Sequence, residues 1–137
     1  MKSVLIIGYG VVGHNLAKDL EKLQPDIYDL KLEDKRKSHY DFAFVCIDTP
    51  KMDIIDAPID DLVECIKNNK ADIFIIKSTI LPGSTEKLKE LTGKRVVFSP
   101  EYYGGTQHCN NFEFNFTVLG GEKKRLLSCS TVITACL

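Results

Sequence analysis

Apolar residues along the chain gather into short uninterrupted runs divided by polar segments. Ser3-Val4-Leu5-Ile6-Ile7, Phe42-Ala43-Phe44-Val45-Cys46-Ile47 and Ile73-Phe74-Ile75-Ile76 show no alternation of apolar with polar positions, which predicts strands buried on both faces of a parallel sheet. Ile27-Tyr28-Asp29 and Arg95-Val96-Val97-Phe98 are shorter candidates of the same kind. Between the runs the period changes. From Val12, the residues Leu16, Ala17, Leu20 and Leu23 recur at helical spacing up to Pro25. Ile59, Leu62, Val63 and Ile66 form a second stripe, with Pro58 suited to a first helical position and Asp60 and Asp61 where the helix dipole favours negative charge. Leu81-Pro82-Gly83-Ser84 predicts a turn ahead of a short helix carrying Leu88 and Leu91. Residues 101–111 predict a loop, Phe114, Phe116 and Val118 alternate as a sixth strand would, and residues 122–137 form a tail with only weak helical spacing at Leu126, Leu127 and Ile133.

The order strand, helix, strand, strand, helix, strand, helix, strand is that of an α/β domain with a doubly wound parallel sheet in three layers. The expected domain is 1–121, with 122–137 as a separate tail. In such a sheet the ligand crevice lies beyond the carboxyl ends of the strands, so candidate chemistry is sought there.

Composition narrows the picture. The chain has 137 residues with 18 Lys and Arg against 19 Asp and Glu, a formal charge of -1. A chain of this size buries roughly two thirds of its unfolded surface, enough for a core without staples. The balanced charge lacks the basic field that drives binding to phosphate backbones, so no nucleic-acid partner is expected. The longest apolar runs fall far short of the roughly 20 residues a membrane helix requires, and no signal peptide is expected. The implied setting is a reducing cytoplasm. Cys46, Cys65, Cys109, Cys129 and Cys136 are odd in number and contain no CxxC pair, which argues against a disulfide framework or zinc site. Asn115-Phe116-Thr117 matches a glycosylation sequon that would be silent there.

Gly8, Gly10 and Gly13 form a GxGxxG between a buried strand and a helix. In that context the first glycine permits a tight turn, the second lets backbone approach a pyrophosphate, and the third lets helix and strand pack closely. The helix N-terminus offers unpaired N–H groups to the phosphates. Asp29 follows Gly8 by 21 residues, close to the roughly 20 expected of the acid that binds ribose hydroxyls. A carboxylate there favours NAD and repels the 2′-phosphate of NADP. The neighbouring Lys31, Lys35, Arg36 and Lys37 read as a solvated basic run without a cofactor contact.

Three polar clusters stand at later strand ends: Asp48-Thr49-Pro50, Lys77-Ser78-Thr79 and Ser99-Pro100-Glu101. Each consists of ordinary turn residues, but the fold brings all three to one crevice. Together with Gly8-Tyr9-Gly10-Val11-Val12-Gly13, Lys77 to Thr85 and Ser99-Pro100-Glu101-Tyr102, they resemble the successive motifs of the UDP-glucose/GDP-mannose dehydrogenase family, over residues 1–121 and its N-terminal NAD-binding domain alone. Members of that family oxidise a nucleotide-sugar primary alcohol twice, with two NAD molecules, through a cysteine-bound thiohemiacetal and thioester to the uronic acid.

The resemblance implies a Rossmann-like domain in which Gly8, Tyr9, Gly10, Val11, Val12, Gly13, Asp29, Thr49, Pro50, Ser78 and Thr79 surround NAD. It also implies that Thr79 holds an ordered water and that Glu101 serves acid–base or hydrolytic steps, as a carboxylate of raised pKa in a water-poor crevice can. A UDP-sugar would be the substrate. The sequence also departs from the family. Gly105 stands where a second glutamate is expected, the segment from Asp29 to Phe42 leaves little room for a second helix, and the half bearing the catalytic cysteine, lysine and aspartate is missing. Cys109, in Gln107-His108-Cys109, reads as a loop thiol rather than its replacement. The resemblance therefore implies a truncated domain, incomplete for turnover without a partner chain, which also allows a homo-oligomer. The other reading is a nucleotide-sensing regulatory module like those of potassium-uptake regulators, which share a GYGxxG-type opening but give Ser78 to Gly83 and Ser99 to Glu101 no task.

Overall fold

The computed structural model describes residues 1–49, 59–100 and 117–134. Five parallel strands form one sheet: β1 (Val4–Ile7), β2 (Asp26–Tyr28), β3 (Tyr40–Val45), β4 (Ala71–Ile76) and β5 (Val96–Phe98), in the order β2-β1-β3-β4-β5. Helices α1 (Val11–Asp19), α2 (Asp60–Lys67), α3 (Ser84–Thr92) and α4 (Lys123–Thr134) accompany them, with a 3-10 turn at Glu21–Leu23. This is the α/β doubly wound, Rossmann-like architecture that the uninterrupted apolar runs predict.

Because successive strand residues point to opposite faces, the same runs supply two cores. Leu5, Ile7, Ala43, Val45, Phe74 and Ile76 pack under α2 and α3 through Leu62, Ile66 and Leu88. Val4, Ile6, Phe42, Phe44, Ile73 and Ile75 pack under α1 and α4 through Leu16, Leu20 and Cys129. Leu91, expected on the apolar face of α3, is 48% exposed instead. The predicted helix from Val12 begins one residue earlier, β2 ends at Tyr28 rather than Asp29, and Pro58 lies outside the described residues.

The register sets the site. Tyr28, Ile7, Val45, Ile76 and Phe98 occupy one row across the sheet, so Asp29, Gly8, Cys46, Lys77 and Ser99 share its carboxyl edge. The chain leaves β1 toward β2 on one side and continues through β3, β4 and β5 on the other. The switch point between β1 and β3 is where a crevice opens in such sheets.

Two connections depart from the regular pattern. Residues 29–39, which join β2 to β3 across β1, contain no helix, in keeping with the short segment. The anticipated sixth strand is reduced, among the described residues, to one antiparallel bridge between Gly120 and Phe98, with N–H···O distances of 2.8 and 2.7 Å. Phe114 and Phe116 lie outside the described residues. Beyond it, α4 lays Leu126 and Cys129 against the sheet.

Candidate functional site

The glycine loop between β1 and α1 is built by close backbone approach. Gly8 has φ +91°, and a Cβ there would stand 2.6 Å from the carbonyl oxygen of Cys46 at the end of β3. Gly13 is buried beneath the loop, where a Cβ would overlap the Gly8 carbonyl. Gly10, the N-cap of α1, behaves differently: a Cβ there meets nothing within 4 Å, and no side chain caps the helix. The first N–H groups of a helix have no partner within it, and at α1 no side chain caps them. Val11 is exposed, Val12 packs on the core, and Tyr9 sets its ring edge-on to His14, with centroids 5.2 Å apart.

Asp29 stands against this loop. Its Oδ2 accepts the Tyr9 N–H at 2.9 Å and its Oδ1 accepts the Lys31 N–H at 2.9 Å. These backbone hydrogen bonds, Lys31 first and Tyr9 second, hold its carboxyl below the ordinary 3.8. A carboxylate offers about four lone-pair sites, so two acceptor positions are left. The Tyr28 carbonyl accepts the Gly8 N–H at 2.8 Å, fixing the end of β2 to the first glycine.

The later clusters meet at the same edge. Ser78 is buried, and its hydroxyl donates to the Ile47 carbonyl at 2.6 Å and to that of Val45 at 3.4 Å. It ties the end of β4 to the segment leaving β3. Thr49 Oγ1 donates to the Thr79 carbonyl at 2.7 Å, and Thr79 is exposed. Pro50 and Glu101 lie outside the described residues. A cleft of about 280 Å³ is lined by Ile80, Pro82, Thr85, Glu86, Phe98 and Gly121, and Thr79 does not line it.

Two residues carry more than their sequence context suggested. Lys77 is buried, and its Nζ donates to Ser99 Oγ at 3.0 Å. Burial raises the Asp19 carboxyl above its usual value, with the Lys77 charge working against that rise. The clue was a lysine continuing an apolar strand in the inward register. Arg36 corrects the reading of a solvated basic run: its side chain is 22% exposed and fully engaged, whereas Lys35 and Lys37 are 75% and 62% exposed. No sequence signal separated Arg36 from its neighbours, because its partners Tyr28 and Asn69 come from distant segments.

Cys109 and Cys136 lie outside the described residues. Cys65 and Cys129 form no disulfide, and burial pushes the Cys65 thiol up to about 12 and that of Cys129 up to about 11. Among the described residues no cluster of His, Cys, Asp and Glu is arranged to hold a metal. No described helix is long and apolar enough to cross a membrane.

No family model matches the chain, and no curated protein does. Solved structures do. A GDP-mannose dehydrogenase from Pseudomonas aeruginosa, in a ternary complex, superposes with a TM-score of 0.69 at 15% identity, over 98% of this chain and 44% of that one. A prephenate dehydrogenase from A. aeolicus, in complex with hydroxyphenyl propionate and NAD+, gives 0.64 at 19% identity over 99% and 57%. An imine reductase from Myxococcus stipitatus, in complex with NAD+, gives 0.65 at 12% identity over 100% and 52%. The chain shares the Rossmann-like fold of these proteins. It spans about half the length of these three proteins.

Proposed function

We propose that this chain binds NAD at the glycine loop and serves as the cofactor-binding part of a nucleotide-sugar dehydrogenase. The observation that carries the reading is the pairing of Gly10 and Asp29. One leaves open space where a Cβ would stand at an uncapped helix N-terminus; the other is locked to the same loop with lone pairs to spare. A pyrophosphate suits the first and ribose hydroxyls suit the second. Gly8, Tyr9, Val11, Val12 and Gly13 complete the cradle. The negative charge of Asp29 favours NAD over NADP.

When bound, NAD supplies the acceptor for a hydride from an alcohol carbon. The chain's own residues orient the reacting groups around it. Ser78 acts by shaping the loop after β3, since its hydroxyl is occupied by Ile47. Thr49 belongs to the segment that Ser78 shapes, and Pro50 is assigned to the cofactor by the resemblance of its motif alone. Thr49 fixes the backbone of Thr79 through its carbonyl, which leaves the Thr79 hydroxyl to hold water at the reacting centre. Glu101 moves the proton. The UDP-sugar reading is supported by the order of the four motifs and by the common sheet edge that their strands share.

Calorimetric titration with NAD and with NADP tests this reading. NAD should bind more tightly than NADP, and Gly10→Val should abolish binding by filling the open ground. With the cofactor site secured, NADH formed in a single turnover with UDP-glucose tests the substrate. Binding without oxidation, even with a second half supplied, would favour a nucleotide-sensing module. No binding of either dinucleotide would overturn the proposal.

A further inference from the structure

The connection from β2 to β3 lacks the helix that would ordinarily cover β1 and β2 on the α2 and α3 face, yet Leu5 and Ile7 on that face are 0% and 3% exposed. Tyr40 and Lys37 reach Asp26 of β2 from this side, at 3.0 Å each, and the side chain of Arg36 links β2 to the residues that follow α2. The Arg36 guanidinium carbon lies 3.6 Å from the centroid of the Tyr28 ring. Its Nε and Nη2 donate to the two carboxylate oxygens of Asp34 at 2.8 and 2.6 Å, and its Nη1 donates to Asn69 Oδ1 at 2.8 Å. Asn69 is buried and passes the link on, donating through Nδ2 to the Cys65 carbonyl near the end of α2 at 2.8 Å. A planar guanidinium can stack on an aromatic face while its edge makes forked hydrogen bonds; an ammonium cannot do both.

What Arg36 holds is the back of the glycine loop. Tyr28 is the last residue of a three-residue edge strand, its carbonyl accepts from Gly8, and the next residue, Asp29, accepts from Tyr9. We infer that Arg36, fastened by Asp34 and Asn69, is a positioning residue that clamps Tyr28 and Asp29 against the glycine loop, in place of the missing helix. This inference rests on Asp29 being the ribose-binding acid, but the clamp itself has a readout that needs no ligand.

That readout is amide hydrogen exchange followed by NMR on the whole chain. In Arg36→Ala, the Tyr9 and Lys31 amides, both bonded to Asp29, should exchange about tenfold faster while amides of β3 and β4 keep their rates. Arg36→Lys should not restore them, and Asp34→Asn, an exposed change that spares the fold, should give a smaller shift in the same direction. In parallel, Arg36→Ala should weaken NAD about tenfold in the wild-type background and far less in an Asp29→Asn background. Unchanged Tyr9 exchange in folded Arg36→Ala would overturn the clamp. So would uniform acceleration throughout the sheet, which marks a merely structural role. If exchange responds as expected but wild-type protein binds no NAD, the clamp stands and the ligand reading falls.

Discussion

A Cβ placed on Gly13 would collide with the carbonyl oxygen of Gly8, so the first turn of α1 and the end of β1 approach as closely as backbone allows. Gly10, between them in sequence, faces open space. The three glycines therefore divide into two that build the loop and one that leaves room beside it.

That division predicts opposite phenotypes. Gly13→Ala forces backbone apart in a packed layer and should cost about 1 to 3 kcal/mol of stability. Gly10→Ala has no clash to relieve and should stay within about 0.5 kcal/mol of wild type while weakening NAD. Urea unfolding and calorimetry on the two variants separate the roles. Equal loss of stability in both would refute the division.

Ser78 and Ser99 should behave as structural hydroxyls. Ser99→Ala removes a partner of the buried Lys77 ammonium and should cost about 1.5 to 3 kcal/mol, the range for a hydrogen bond to a charged group. Ser78→Ala leaves the Ile47 carbonyl without its donor and should cost about 1 kcal/mol. Shifts in the urea midpoint at constant slope check both values, and a change in slope would signal a wider rearrangement.

The sheet was legible because burial on both faces leaves strands no choice but continuous apolar runs, as in Val4–Ile7 and Ala71–Ile76. The approach of Asp29 to the glycine loop was legible because it depends on backbone geometry at fixed spacing. Arg36 was not, since what distinguishes it from Lys35 is a ring at Tyr28 and an amide at Asn69 that only the fold brings near. Helix α4 was equally hidden: its apolar residues Leu126 and Cys129 pack on the sheet, while Leu127 is 65% exposed, which dilutes the helical period.

Asp41 should set part of the acid limb of stability. Its carboxylate accepts the Ser3 N–H at 2.8 Å, the Ser3 hydroxyl at 2.9 Å and the Lys2 ammonium at 3.0 Å. The Ser3 backbone hydrogen bond leads these in lowering its pKa from 3.8 to about 2. A carboxyl whose pKa falls on folding contributes stability that is fully present above the unfolded value and is lost as pH drops through the folded one. Asp41→Asn should therefore be less stable than wild type at pH 7, and the gap should close between 3.8 and about 2. Urea midpoints measured across that interval check it; a gap independent of pH would show that the charge is not the stabilising element.

Asp29 carries the most specific prediction for the ligand. Its two backbone hydrogen bonds are satisfied before any cofactor arrives, so its carboxylate is both oriented and ionised, with its pKa already below 3.8. NAD affinity should accordingly show no loss attributable to Asp29 as pH falls from about 8 to about 5, a range in which an ordinary carboxylate is also charged. Asp29→Ala should cost about 1.5 to 3 kcal/mol of NAD affinity, as for a charged hydrogen bond to a hydroxyl. Asp29→Asn keeps the shape without the charge, so it should narrow the difference between NAD and NADP more than it weakens NAD. Titrations of the three proteins with both dinucleotides decide the matter: a preference for NAD that survives in Asp29→Asn would move the origin of discrimination away from this carboxylate.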